Sequence, residues 1–170
     1  MNQLIDVAFE EAKILSQIQA CIARLRGLLP SEVTKISTGV ALFSKLRSAC
    51  AEDINQLQHA ALVLVAAKHL QELYPGELCW FWHPYQTGGI EEPDLRATRN
   101  SKVVISAEVT ASEKPDGAVD KPMTHTLQKL AAMPGRRFYF VRTEPMRRRA
   151  ETKVLKSGFA IEVVHQGLHS

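Results

Sequence analysis

EEPDLRATRNSKVVISAEVTAS, residues 91–112, joins a Pro-Asp step to a β-branched run that carries one acid, Glu108, in its interior. Alternation puts Val103, Ile105, Ala107, Val109 and Ala111 on one side and Lys102, Val104, Ser106, Glu108 and Thr110 on the other, the period-two pattern of a strand with one core face. An ionised carboxylate is expensive to desolvate in such a strand and persists where something positive shares its site. Asp94 opens a short strand over 94–99, and Arg99-Asn100-Ser101 is the turn into the long one. The 13 residues between Asp94 and Glu108 allow the hairpin to bring both carboxylates to one edge of a sheet. Two carboxylates, waters and a backbone carbonyl are hard oxygen ligands of the kind that hold Mg²⁺ or Mn²⁺ together with substrate phosphate. A cation so held activates water for phosphodiester hydrolysis. A plainer reading stands beside this one: Asp94 as a turn residue after proline, and Glu108 facing solvent or paired with Lys102 or an arginine of the last helix.

The sequence around the hairpin is α/β. ELCWFWHPY, from Glu77, reads as a preceding strand in which Trp80, Phe81 and Trp82 alternate as ordinary core residues, followed by the loop QTGGIEEP. SEKPDGAVDKP is loop by composition, with Pro115, Gly117 and Pro122 as breakers. MTHTLQKLAAM has helical spacing, RFYFVRT reads as a strand, PMRRRAETKVLKSG as a helix with Pro145 at its start and Gly158 past its end, and FAIEVVHQ as a last strand. Before Gly76 the chain is helical. An apolar stripe at spacings of three and four runs from Leu4 to Leu29 and ends at Gly27 and Pro30. Ser31 is expected to cap a short turn, TGVALFSKLRSACAED supplies an amphipathic segment, and a longer helix is expected to begin near Glu52 or Asp53 and stop at Pro75-Gly76. The expectation is a single domain over 1–170, with N-terminal helices over 1–52 and an α/β core over 53–170.

Composition narrows the function classes. With 45% hydrophobic and 23% charged residues, the 170-residue chain has the balance of one folded domain. No apolar run approaches the roughly 18 residues of a membrane span, and MNQLIDVAFEEAKIL is acidic where a secretory leader would be basic. The expectation is a cytoplasmic protein with no membrane partner. Cys21, Cys50 and Cys79 are widely separated thiols that form no CxxC pair, and the six histidines form no HExxH, so neither a disulfide framework nor a zinc site is expected. Charge is uneven: residues 1–76 hold seven Lys/Arg against seven Asp/Glu, whereas 129–170 hold nine against three. A basic surface attracts phosphate backbones, although a short run also serves as a solvated helix face.

The segment PDLRATRNSKVVISAEVTAS resembles the motif of the PD-(D/E)XK nuclease superfamily, in which Pro-Asp is followed after ten to twenty residues by Asp or Glu, one residue, and Lys. Pro93-Asp94 matches the first element and Glu108 the second. The element order is similar as well: a leading helix, a strand hairpin, then helix, strand, helix and strand, over about residues 53–165. The resemblance implies a restriction-endonuclease-like core, a mixed five-stranded sheet flanked by helices, to which the N-terminal helices are an addition. It implies Mg²⁺- or Mn²⁺-dependent cleavage of nucleic acid, expected to be DNA, with Asp94 and Glu108 as catalytic metal ligands. Glu72, near the end of AAKHLQEL, resembles the acid that family members often add from the helix before the hairpin. Arg136, Arg137, Arg147, Arg148 and Arg149 would contact backbone phosphates, and a homodimer through the N-terminal helices would present two sites to a duplex. The chain departs from the motif at its lysine, where it has Thr110. A hydroxyl orients water but supplies no cation. Lys114 further along the strand, or Lys121, His125 or Lys129 from the next helix, could stand in. Without such a substitute, the expected alternative is an inactive nuclease-like module that binds nucleic acid or a protein partner.

Overall fold

The computed structural model describes residues 1–30, 32–85 and 92–166. Four helices and six strands follow in order: β1 (Asn2–Gln3), α1 (Val7–Leu28), α2 (Ile36–Leu73), β2 (Cys79–Trp82), β3 (Leu95–Arg99), β4 (Lys102–Thr110), α3 (Gly117–Ala131), β5 (Arg136–Val141), α4 (Glu144–Ser157) and β6 (Glu162–His165). The strands form one mixed sheet in sequence order, antiparallel from β1 to β4 and parallel from β4 to β6. The parallel pairings are those that a helix connects, α3 between β4 and β5 and α4 between β5 and β6, as parallel neighbours require.

Two apolar layers lie on the two sides of this sheet. On one side α1 and α2 pack against Trp80, Trp82, Leu95, Ala97, Ile105, Ala107, Val109, Phe138 and Phe140. On the other, α3 and α4 cover Tyr139 and Val141 with Met123, Leu127, Leu130, Met146 and Ala150. Alternation along β4 therefore works as expected between Ile105 and Val109. At its start the phase slips. The register shifts between Ala97 and Thr98, pairing Thr98 with Val103 and leaving Val104 as the extra residue of β4, and Val104, an even position, packs toward α1 and α2.

Several local expectations are corrected. The sheet has six strands rather than five, because Asn2–Gln3 adds to the β2 edge and α1 starts later, at Val7, with Asp6 accepting from the Phe9 amide. The two helical segments expected before Gly76 are one helix of 38 residues. Nothing at Glu52-Asp53 breaks it, since neither residue removes a backbone donor. What changes there is burial: among residues 36–52 only Cys50 is buried, whereas Leu57, His59, Ala60, Leu62, Val63, Leu64, Ala66, Ala67 and Leu70 all are. Ser31 and residues 86–91 of the expected loop lie outside the described residues, and residues 32–35 are not helical. The region read as loop at 117–122 is the start of α3, capped by Asp116 onto the Val119 amide, and Pro122 sits inside that helix. Half of the N-terminal stripe is used within the chain, with Ile14 and Cys21 buried and Val7, Ile18 and Leu25 against the same core, while Leu15 and Ile22 stay exposed. Among the described residues no helix is long and apolar enough to cross a membrane.

Two turns fix the geometry near β4. Asn100 and Ser101 both have positive φ, 49° and 61°, the two-residue turn whose twist matches an antiparallel hairpin. Gly135, entering β5 at φ 80°, lies so close to β4 that a Cβ there would sit 2.5 Å from the Val104 carbonyl carbon and 2.6 Å from its oxygen. Gly135→Ala must therefore displace backbone, and the expected loss in urea denaturation is on the order of 3 kcal/mol or more. Gly158→Ala, at φ 66° with open space around it, is expected to lose only about 1 kcal/mol; equal losses would mean that the β4 approach tolerates a methyl group.

Candidate active site

The hairpin register sets the site. Leu95 lies opposite Ala107, so one step outward Asp94 lies opposite Glu108. The Val109 amide donates to Asp94 Oδ2 at 2.8 Å, and His59 of α2 places Nε2 3.3 Å from Oδ1. Asp94 is thus fixed by a strand on one side and a helix on the other. Glu108 points away from the α1/α2 core, toward α3, where the Lys129 ammonium lies 2.8 Å from Oε1. The Glu108 side chain is 8% exposed and that of Lys129 is 20% exposed. The interior acid is therefore neither solvent-facing nor paired with Lys102 or an arginine of the last helix, and the lysine across the helix layer is its partner.

Burial pushes the Glu108 carboxyl up to about 8, the charge of Asp94 adds to the rise, and Lys129 acts against both. Thr110, two residues along β4, shares a hydrogen bond of 2.6 Å with the hydroxyl of Tyr139 on β5. Burial raises that phenol to about 12, so Tyr139 stays protonated and presents an O–H rather than a charge. A cleft of about 650 Å³ opens at this end of the sheet. Its walls are Asn55 and Gln58 of α2, His83 and Glu92 beside Asp94, the end of β4 and the residues after it from Glu108 to Glu113, Met123 and Lys129 of α3, Tyr139 of β5, and Arg142 just past it. Arg142 pairs with Glu113 at 2.7 Å. Two facing carboxylates beside an ammonium can bind a hard cation or share a proton, and can hold water against an anionic ligand.

The sequence-selected residues divide into two groups. Asp94, Glu108 and Thr110 come together in this cleft. Glu72 does not: it is exposed in the last turn of α2, fourteen residues past Gln58 and so about 20 Å further along the helix. The part of α2 that meets the cleft is the turn with Asn55, Gln58 and His59. Arg136 and Arg137 lie at the start of β5, at the far end from the cleft. Arg136 stacks 5.1 Å from the Tyr74 ring centroid and pairs with Glu162, and Arg137 donates to the Met133 carbonyl. Arg147, Arg148 and Arg149 stand on the first turns of α4, at the cleft end, and are held by acids of the same protein: Arg147 by Glu144 and Glu151, Arg148 by Glu144, Arg149 by Asp120. Those bonds hold Glu144 and Asp120 near 2. Of the proposed lysine substitutes, Lys114, Lys121 and His125 are exposed and line no part of the cleft, whereas Lys129 does. No motif or spacing singles out His59 or Arg142. Tyr139, the one hydroxyl of β5 and flanked there by Phe138 and Phe140, carried a signal in RFYFVRT.

A carboxyl whose folded pKa lies above its ordinary value, here 4.5, holds its proton more tightly folded than unfolded. Its contribution to stability is therefore fully present at low pH and is lost as pH rises from about 4.5 through about 8. Glu108→Gln removes that titration. Between pH 5.5 and 8.5 the stability of the Gln variant relative to wild type is expected to rise by on the order of 2 kcal/mol in urea denaturation. A difference independent of pH would mean that Glu108 titrates like a solvated acid.

Compared with protein-family models, with curated proteins and with solved structures, the chain matches none of them.

Proposed function

We propose that the protein is a Mg²⁺- or Mn²⁺-dependent nuclease of the PD-(D/E)XK type, acting on DNA in the cytoplasm, with Asp94 and Glu108 as metal ligands and Lys129 taking the role of the motif lysine. The observation that carries this reading is the pair of carboxylates set opposite each other by the β3–β4 register at the mouth of a cleft, with the Lys129 ammonium 2.8 Å from one of them. The element order supports it: α2, then the β2–β4 strands, then α3, β5, α4 and β6 on a mixed sheet follows the order of the restriction-endonuclease-like core.

The donor set suits a hard cation. Asp94 raises the Glu108 carboxyl, and a divalent ion between the two relieves that repulsion. Among the described residues no group of three His, Cys, Asp or Glu stands ready for a metal, so the remaining ligands would be phosphate oxygens, water and a backbone carbonyl. When bound, the ion supplies Lewis-acid activation of water and neutralises charge on the phosphoryl oxygens. The rest falls to the chain. The Val109 amide and His59 hold Asp94 in one orientation. Lys129 offers three N–H donors to an attacking water and to the phosphate, the charge that Thr110 lacks. Thr110 and Tyr139, bonded to each other, form an uncharged wall that keeps the β4 end of the cleft polar. On this reading Arg147, Arg148 and Arg149 contact phosphates only by exchanging their intramolecular acids, so backbone contact from α4 is weak.

A second reading, the inactive module that binds nucleic acid or a protein partner, is favoured by Thr110 itself, a neutral residue at the motif lysine and already engaged by Tyr139. Plasmid cleavage in Mg²⁺ and in Mn²⁺ separates the two. The nuclease reading expects nicking or linearisation by the wild type, none by Asp94→Ala or Glu108→Ala, a loss of about 10²-fold in Lys129→Ala, and a loss under tenfold in Thr110→Ala. Undiminished cleavage by Glu108→Ala overturns it. A wild type that never cleaves but binds DNA with strong salt dependence and no response to metal supports the second reading.

A further inference from the structure

The α3/α4 side of the sheet is covered over only part of its width. α3 packs on β4 and β5, and α4 on β5 and β6, and the apolar cluster beneath them contains no residue of β1, β2 or β3. The side chains that β2 and β3 turn to this side, Cys79, Phe81, Arg96 and Thr98, are exposed or half-buried. They make a shelf alongside the cleft. Trp80 and Trp82 between them go to the opposite side and are buried, so strand alternation, read as core packing for all three aromatics, leaves Phe81 outside.

Arg96 is the cation of this shelf. It shares the sheet side of Asp94 and stands two residues along β3, about 6.6 Å away. Across the hairpin it lies opposite Ser106, as Asp94 lies opposite Glu108. Its guanidinium sits 5.4 Å over the Phe81 ring, which presents the planar fork to one side and restricts its rotation. Its Nε is buried and meets no acceptor among the described residues. That N–H lies out of an oxyanion's reach, and the fork of the half-buried side chain is the part that a ligand can meet. A lone anion would be repelled by the negative charge at the Asp94–Glu108 pair next to it. A chain of phosphates would not, because one phosphate can be drawn to the carboxylate centre through its cation while its neighbour falls on Arg96.

We propose that Arg96, seated on Phe81, is a phosphate contact of the substrate strand, taking the phosphate next to the one held at Asp94 and Glu108. This rests on the nuclease reading and adds a direction to it: the strand leaves the cleft across β3 and β2, away from α4. The contact is to backbone, so it positions the substrate without selecting sequence. The arginines of α4 are bound to acids, whereas Arg96 forms no ion pair among the described residues.

The test is fluorescence anisotropy with a labelled 20-base-pair DNA duplex and the matching single strand, in Ca²⁺ to hold the metal site without turnover, between 50 and 200 mM salt. Arg96→Gln is expected to bind about tenfold more weakly at low salt and to lower the slope of log K against log salt by about one. Arg96→Lys is expected to restore the slope but not the full affinity, because the ammonium lacks the fork. Phe81→Leu keeps the strand's packing, removes the ring face and should fall between wild type and Arg96→Gln, which gives a second variant should the first fold poorly. If Arg96→Gln matches the wild type in affinity and slope while the wild type binds, Arg96 is overturned and the nuclease reading stands. If the wild type binds neither probe, both are overturned.

Discussion

Glu108 sits in a strand with neighbours on both sides and a helix above it, where a carboxylate loses nearly all of its hydration. Much of the local structure is arranged around that loss. The β3–β4 turn must deliver the register that sets Asp94 opposite it. α3 must run far enough for Lys129, close to its C-terminal end, to reach back over β4. The connection after α3 must then drop into β5 so tightly that only glycine fits against Val104. Removing one partner of such a buried arrangement leaves an uncompensated charge, which is why pairs of this kind hold their geometry closely even where they add little net stability.

The β3–β4 hairpin was the most legible part of the chain, because alternation, a turn and a Pro-Asp step all pointed to the same pairing. The cleft residues from that hairpin, Asp94, Glu108 and Thr110, were therefore found. Glu72 was misplaced for a reason that spacing alone does not reveal. A helix that merges two predicted segments meets the sheet along its middle, and the turn that reaches the cleft is the one beginning at Asn55, not the one nearest to β2. Lys129 was visible only as one of several substitutes, since which helical residue reaches a strand depends on the pitch and length of α3. That length was itself underestimated, because Pro115, Gly117 and Pro122 read as breakers although Asp116 caps a helix that accommodates Pro122. Strand β1, two residues long, has no periodicity to read.

The arginines carry a different lesson. A run of basic residues counted along the sequence gives a net charge, but the field felt by a ligand depends on what each guanidinium already holds. On α4 the acids one turn away, and Asp120 of α3, absorb much of the positive charge of Arg147, Arg148 and Arg149. Ion pairs this exposed contribute little to stability. Their main effect is to shape where the surface is positive, and they shift that region away from the helix that the count had favoured.

The 38 residues of α2 make a rod of about 57 Å, and its two halves live in different surroundings. From Leu57 to Leu70 it is a core element under the sheet, with most of its residues buried. From Ile36 to about Ala49 it has α1 as its main companion, with Ile36, Val40 and Phe43 left in solvent. One uninterrupted hydrogen-bonded ladder therefore spans a steep gradient in opening free energy. Fraying from the Ile36 end can travel several turns before it reaches His59 and the side chain it holds on Asp94. Loss of the first turns of α2 would therefore leave the contacts of the carboxylate pair in place.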